Sequence, residues 1–210
     1  MNEEGPAYNR RHSADILGVI LAGGRGTRMH NSDKPLLTLH DRCLVDHVIS
    51  RARPQVNNLV VSANRNIDQY RQRRFLVLKD EIEGYAGPLA GIASAMHWAR
   101  RQDFPLLACF PGDVPLFPDN VVALLHHIMR AEHSEVAWLC TDGQLQPLFS
   151  LWSTALYPAI RSALQNQVYS PMEFIRSRKH SLLQLDNCPA GYFDNLNSEE
   201  DLERARSRFS

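Results

Sequence analysis

The chain has 210 residues, of which 44% are hydrophobic, and 23 Lys and Arg balance 23 Asp and Glu. This length and apolar content predict one domain with a core of its own, and the balanced charge offers no net field for nucleic acid or an acidic membrane surface. No apolar run approaches the ~18 residues that a membrane-spanning helix needs. We therefore expect neither nucleic acid nor membrane as a partner.

The cysteines and the start of the chain bear on its compartment. The four cysteines form no C-x-x-C pair, and three sit in or beside apolar runs, which predicts reduced core thiols in a cytoplasmic protein. The polar residues 1–15 predict a disordered tail. Arg10 and Arg11 leave a twin-arginine export signal as an alternative, although Asp15 interrupts the approach to the apolar run.

Continuous apolar runs predict strands that are covered on both faces. They are ILGVIL (Ile16–Leu21), NLVVSA (58–63), FLVLKD (75–80), PLLACF (105–110) and EVAWLC (135–140). Helical patterns lie between them, at about residues 44–53, 89–101 and 119–131. Alternating strands and helices predict a mostly parallel sheet with right-handed crossovers, in a Rossmann-like three-layer α/β/α domain.

The pattern changes after Cys140. TDGQ is typical of a hairpin turn, and PLFSLW (147–152) predicts a strand that returns antiparallel to its predecessor. The remaining predicted elements are helices near 153–164 and 171–178, a strand LLQLD (182–186), a short strand YFDNLN (192–197) and a last helix in 197–206. Ser198 is a candidate N-cap for that helix.

A glycine-rich loop, AGGRGTR (22–28), follows the first strand. Ligands bind outside the carboxyl ends of the strands in open parallel sheets, and glycines allow backbone N–H groups to approach an anion closely. The loop matches neither G-x-G-x-x-G, because Met29 replaces the last glycine, nor the G-K-[ST] of a P-loop. It is therefore a phosphate loop of another type, or a plain structural turn.

Two further features fall at the same predicted edge. The third strand ends at Asp80, and GYAGPLAG (84–91) follows with Pro88 at a plausible first helical position. The fourth strand runs into PGDVP, where Asp113 is placed to hold Mg²⁺. A simple helix start and an Asx turn are the structural alternatives. Together the three loops indicate a nucleoside triphosphate bound with magnesium.

Five ordered motifs resemble those of the molybdenum cofactor guanylyltransferases. They are LAGGRGTRM with DK, SANR, DEIEGYAGPLAG, PGDVP and FDNLNSEEDL, and they extend over residues 17–202. The resemblance implies a glycosyltransferase-A type nucleotidyltransferase that transfers GMP from GTP to the terminal phosphate of Mo-molybdopterin and releases pyrophosphate. Molybdoenzymes or cofactor-insertion proteins would receive the product. The single domain, 16–210, would then have a nucleotide half (about 16–140) and a pterin-side half (about 141–210).

The resemblance also implies roles for individual residues. The implied nucleotide contacts are Leu21, Ala22, Gly23, Gly24, Lys34, Ser62, Asn64, Asp80, Gly87 and Asp113. Lys34, Arg28 and Asp113 would be catalytic, with Asp113 as the Mg²⁺ ligand, and Asn195 and Asn197 would lie on the pterin side. No general base is required, because a phosphate monoester is largely ionised at neutral pH.

Some positions depart from the family pattern, and other functions stay open. His30 and Asn31 stand where the family usually has glycine, and Ser62 stands where it has asparagine. The alternatives are a CTP-dependent molybdopterin cytidylyltransferase, a sugar-1-phosphate nucleotidyltransferase and a non-catalytic cofactor-delivery protein. Within the resemblance, LAGG and GPLAG imply guanine rather than cytosine, and the retention of Lys34, Asp80 and Asp113 favours catalysis.

Overall fold

A computed structural model describes residues 15–23, 33–80, 87–196 and 199–206, and within them the strands form one seven-stranded sheet and one two-stranded ladder. The strands are β1 Ile16–Leu21, β2 Thr38–Leu39, β3 Arg42–Cys43, β4 Asn58–Ser62, β5 Val77–Leu78, β6 Leu106–Pro111, β7 Val136–Thr141, β8 Gln144–Ser153 and β9 His180–Leu185. The sheet order is β5-β4-β1-β6-β8-β7-β9, and only β8 runs against the others. The predicted mostly parallel sheet is confirmed.

Helices cover both faces of this sheet. They are α1 Leu44–Ala52, α2 Ile67–Gln72, α3 Pro88–Arg101, α4 Val121–Ala131, α5 Tyr157–Gln165, α6 Pro171–Arg176 and α7 Glu199–Arg206. Helices α1 and α4 pack on one face, and α3, α5 and α6 pack on the other, which is the predicted three-layer arrangement. Among the described residues, no helix is both long and apolar enough to cross a bilayer.

Strand β1 shows why its sequence is continuously apolar. Ile16 and Ile20 join the core cluster under α1 and α4, whereas Leu17 and Val19 join the cluster under α3. Alternate side chains of a strand point to opposite faces, so a strand in the middle layer needs apolar residues at every position. Strand β1 can therefore lie at the centre of the sheet, with its carboxyl end leading directly into the glycine-rich loop.

Several predicted boundaries are wrong by a few residues. Of the predicted strand 75–80, only Val77–Leu78 pairs with its neighbour, at the edge of the sheet. The helix predicted for 153–164 begins with a 3₁₀ turn at Thr154–Leu156 and becomes α-helical at Tyr157. The described part of YFDNLN, 192–196, forms no strand. Helix α2 was not predicted, because its short polar sequence IDQYRQ carries no apolar repeat.

All four cysteines are free thiols. Cys109 and Cys140 are buried as predicted, but Cys43 and Cys188 are only half-buried, so the prediction of core thiols is right for two of them. Ser198 and residues 1–14 of the predicted tail lie outside the described residues.

Strand β8 contains a pronounced bulge where it passes between β6 and β7. Trp138 of β7 lies opposite Ser150, but the next residue, Leu139, lies opposite Gln146, so residues 147–149 have no partner in β7. Ser150 holds the bulge, because its Oγ donates to the Pro147 carbonyl at 2.9 Å and accepts from Trp152 Nε1 at 2.8 Å. Bulges re-aim side chains beside functional sites.

We predict that Ser150→Ala lowers the free energy of unfolding by about 1–3 kcal/mol, because it leaves the buried Trp152 N–H without an acceptor. Urea titration measures this loss. Ser153→Ala on the same strand is the control and should cost less than ~0.5 kcal/mol. In a Trp152→Phe background the cost of Ser150→Ala should fall, and an equal cost in both backgrounds would contradict the hydrogen-bond account.

Candidate nucleotide site

A cavity of about 330 Å³ opens at the carboxyl edge of the sheet. It is lined by Leu21, Ala22, Gly23, Lys34, Pro35, Ser62, Asp80, Gly87, Pro88, Gly91, Pro111, Asp113 and Leu148. Strand β1 lies between β4 and β6, and the chain continues from β1 to β4 on one side before it returns to form β6 on the other. The cavity therefore lies at a topological switch point of the sheet. Open α/β sheets place their ligands at this kind of position.

Strand register and a glycine bring the wall residues together. Leu21 is level with Ser62 on β4 and with the last residue of β6. Beyond the strands, Gly112 N donates to Leu21 O at 3.0 Å. A Cβ at position 112 would lie 3.2 Å from that oxygen and 3.0 Å from Pro35 Cγ. Glycine therefore allows the β1 and β6 ends and the Pro35 turn to meet, and it directs Asp113 to the cavity.

Lys34 and Asp113 supply opposite charges to the cavity. Lys34 begins a 3₁₀ turn, Lys34–Leu36, and Asp113 follows β6. Burial raises the pKa of Asp113, and the positive charge of Lys34 acts in the opposite direction without cancelling the shift. The ionised carboxylate is thus incompletely neutralised by protein, and it keeps part of its surface open to the cavity.

This environment fits a divalent metal ion that is shared with a substrate. Among the described residues, no cluster of three or more His, Cys, Asp or Glu converges on one point. Protein sites for Mg²⁺ commonly supply one or two carboxylates and leave the other positions to water and substrate phosphates. Asp113, a carboxylate on the cavity wall, is the residue that would hold such an ion.

Asn64 holds Asp80 in place through two hydrogen bonds. Asn64 Nδ2 donates to Asp80 Oδ2 at 2.7 Å, and Asp80 N donates to Asn64 Oδ1 at 3.0 Å. Burial raises the pKa of Asp80, and the hydrogen bond from Asn64 acts against that rise. Asp80 lines the cavity whereas Asn64 does not, so Asn64 acts on the cavity by orienting this carboxylate.

Helix α3 approaches β4 closely at the cavity wall. A Cβ on Gly91 would lie 2.6 Å from Ser62 Oγ, so only glycine fits there without displacing the serine. Gly87, just before the helix, has a φ of +71°, which glycine adopts readily. These residues place the N-terminus of α3 at the cavity.

Most of the predicted site residues that are described line this cavity: Leu21, Ala22, Gly23, Lys34, Ser62, Asp80, Gly87 and Asp113. Sequence reasoning missed Pro35, Pro111 and Leu148 as wall residues, and it placed Pro88 and Gly91 at this edge only as part of a helix start. Pro88 and Gly91 stand inside the GPLAG motif, which was a usable signal. Leu148 reaches the wall from the β8 bulge, and nothing local in the sequence indicates that bulge.

Asn195 lies on a different cavity, of about 210 Å³. The segment that carries it runs beside the Asp113 loop, because Phe193 N donates to Leu116 O at 2.8 Å and Leu196 N donates to Asp113 O at 3.3 Å. Asn195 is therefore near the Asp113 loop without lining the larger cavity. Gly24, Arg28, His30, Asn31 and Asn197 lie outside the described residues.

Comparison with known proteins agrees with this geometry. Residues 18–182 match the family described as the MobA-like NTP transferase domain. A curated relative from Haemophilus influenzae, named molybdenum cofactor guanylyltransferase, is 31% identical over 189 residues, which cover 90% of this chain and 96% of the relative.

Solved structures share the fold. Molybdopterin-guanine dinucleotide biosynthesis protein A from Archaeoglobus fulgidus superposes with a TM-score of 0.75 at 18% identity, covering 92% of this chain and 98% of that one. Rv0371c of Mycobacterium tuberculosis H37Rv, solved in complex with manganese, gives a TM-score of 0.64 at 17% identity, covering 92% and 98%. The family model matches residues 18–182, and the Haemophilus relative aligns over 96% of its own length. The chain therefore belongs to the MobA-like NTP transferases, a family of nucleotidyltransferase enzymes.

Proposed function

We propose that the chain transfers GMP from GTP to the terminal phosphate of Mo-molybdopterin, with release of pyrophosphate. One observation carries the proposal, namely that Lys34, Asp80 and Asp113 meet on the wall of one cavity at the switch point of the sheet. The name of the Haemophilus relative supports guanine as the base and molybdenum cofactor as the acceptor. We place the reaction in the cytoplasm, from which the product passes to molybdoenzymes or cofactor-insertion proteins.

The chemistry needs charge neutralisation and alignment more than proton transfer. The acceptor phosphate is largely ionised at neutral pH and attacks the α-phosphorus without a base. Lys34 binds the nucleotide phosphates and offsets the charge that shifts to the leaving pyrophosphate. Asp113 is the residue that would hold Mg²⁺, which would supply neutralisation of phosphate charge. The chain's own task is to place these charges before substrate arrives.

The guanosine of GTP and the acceptor bind at different ends of the cavity. Asp80, oriented by Asn64, accepts hydrogen bonds from the N–H and O–H donors of guanosine. Leu148, at the wall contributed by β8, belongs to the pterin-side half, 141–210. The acceptor therefore approaches from the β8 side, past Asp113 and next to the segment that bears Asn195.

The first test compares the thermal stabilisation of the chain by GTP, CTP and ATP, each with and without Mg²⁺. A ligand at 100 times its Kd stabilises the fold by about 2.7 kcal/mol, so we expect a clear rise in melting temperature with GTP and Mg²⁺. Pyrophosphate release with Mo-molybdopterin then tests transfer. A preference for CTP would favour the cytidylyltransferase alternative, and release with a sugar 1-phosphate instead would favour that class. Binding without release would favour a delivery protein.

We predict that Asp113→Asn abolishes transfer but raises the melting temperature of the nucleotide-free protein at about pH 7.5. The raised pKa of Asp113 means that its ionised form disfavours the folded state, and the amide removes that penalty. The gain should shrink as pH falls through the raised pKa and vanish below about 3, where the carboxyl is neutral in both the folded and the unfolded chain. Scanning calorimetry at several pH values measures the gain in melting temperature and its loss at low pH.

Asp119→Asn, an exposed change farther along the same loop, is the matched control and should alter neither stability nor transfer. Stabilisation of Asp113→Asn by GTP should no longer depend on Mg²⁺. Near-normal turnover by Asp113→Asn would refute the metal assignment.

We predict that Asn64→Ala raises the Kd of GTP by about tenfold, because Asp80 loses a hydrogen bond to a charged group that is worth about 1.5–3 kcal/mol. Titration calorimetry measures the change. Asn166→Ala removes an exposed side-chain hydrogen bond to a backbone carbonyl at the end of α5; Asn166 does not line the cavity, so this change should leave the Kd unchanged. Unaltered GTP affinity in Asn64→Ala would remove the basis for assigning guanosine to Asp80.

A further inference from the structure

Asp33, the residue before Lys34, is a buried carboxylate outside the cavity wall. It is 7% exposed, and its Oδ2 accepts from Tyr70 Oη at 3.3 Å and from Asn66 Nδ2 at 3.1 Å. Its Oδ1 is buried and has no hydrogen-bond partner in the described part of the chain. Asn66 precedes α2 and Tyr70 lies within it, so this carboxylate ties the lysine-bearing turn to that helix.

This arrangement is costly if its only purpose is stability. Burial raises the pKa of Asp33, and the hydrogen bond from Asn66, the charge of Arg65 and the hydrogen bond from Tyr70 oppose that rise. A buried carboxylate with an oxygen that the described residues leave unsatisfied makes the fold less stable than an apolar side chain of similar volume would. Its presence beside Lys34 therefore calls for a role in placing that residue.

The other end of the same turn is also fixed. Pro35 is buried and lies against Gly112, where a Cβ would come within 3.0 Å of Pro35 Cγ. Leu36 N donates to Asp33 O at 2.9 Å, which closes the turn around Lys34. Lys34 thus sits between one anchor on α2 and another on the loop that carries Asp113.

We propose that Asp33 and Tyr70 are positioning residues, which hold Lys34 where the nucleotide phosphates bind. The inference rests on the proposed function, since it takes Lys34 as the phosphate ligand. Tyr70 is fully buried, so its ring is held by packing and its hydroxyl offers the carboxylate a fixed donor. Neither residue touches substrate, and each acts through the backbone turn that begins at Lys34.

A hydrogen-bond network that only stabilises the fold has different effects on ligand binding from one that positions Lys34. If Tyr70 acts through Lys34, removal of its hydroxyl weakens only binding that involves phosphate. Once Lys34 has been truncated, the same change has no further effect. A double-mutant cycle separates these two cases, because residues that act through one another are not additive.

The test measures the Kd values of GTP with Mg²⁺ and of guanosine by calorimetry. Tyr70→Phe should raise the Kd of GTP about tenfold, the factor that corresponds to 1.4 kcal/mol, and change that of guanosine less than about twofold. In a Lys34→Ala background, Tyr70→Phe should change the Kd of GTP by less than about twofold. Tyr157→Phe changes a buried tyrosine at the start of α5; it is the control and should change neither ligand's Kd.

Variants at Asp33 test whether a hydrogen-bond acceptor at this position is enough to keep GTP affinity. Asp33→Asn keeps a carbonyl oxygen that accepts from both Tyr70 and Asn66, so GTP affinity should stay within about threefold of the unchanged chain. Asp33→Ala keeps neither bond and should lose at least as much affinity as Tyr70→Phe. Thermal melting verifies that each variant is folded.

Equal losses for GTP and guanosine, equal losses with and without Lys34, or an asparagine variant as weak as the alanine variant would each overturn the positioning role. Failure of the unchanged chain to bind GTP would instead overturn the proposed function, and this inference with it. The two failures are therefore distinguishable in the same set of titrations.

Discussion

The contact between the ends of β1 and β6 is the constraint on which the site depends. Gly112 N bonds to Leu21 O at 3.0 Å, and the missing Cβ leaves room for Pro35. Because β1 pairs in parallel with β4 and β6, the loops that follow these strands leave at one edge. A slip of one residue in either pairing would turn each wall side chain to the opposite face of the sheet. Register in the buried core thus sets the geometry of the cavity.

The segment after β4 links the two halves of the nucleotide site. Asn64 bonds to Asp80, and two residues later Asn66 bonds to Asp33, beside Lys34. Asn66 adopts a left-handed conformation with φ of 49°, which asparagine tolerates better than most residues, and this turns the chain into α2. The carboxylate assigned to guanosine and the lysine assigned to phosphate are therefore positioned by one short stretch of backbone.

Local pattern was enough to predict the central strands and the residues at their ends, because buried strands need apolar residues at every position and their loops must share one edge. The place of β8 between β6 and β7 depends on pairing between distant segments, which no local pattern encodes. Leu148 was missed for the same reason, since only the bulge brings it to the wall. The Asp33–Tyr70 contact was missed because α2 lacks an apolar repeat and was not predicted.

The charges around the cavity predict that ligand binding and fold stability are coupled in this chain. Although lysine and arginine balance aspartate and glutamate overall, burial raises the pKa of Asp33, Asp80 and Asp113 together, so each disfavours the folded state when it is ionised. Arg65 opposes that effect at Asp33 and Lys34 opposes it at Asp113, in both cases incompletely. On the proposed function, a nucleotide that brings Mg²⁺ to Asp113 and donors to Asp80 would supply what the protein lacks. The free protein would then pre-organise its site at a cost in stability, and the bound substrate would offset that cost.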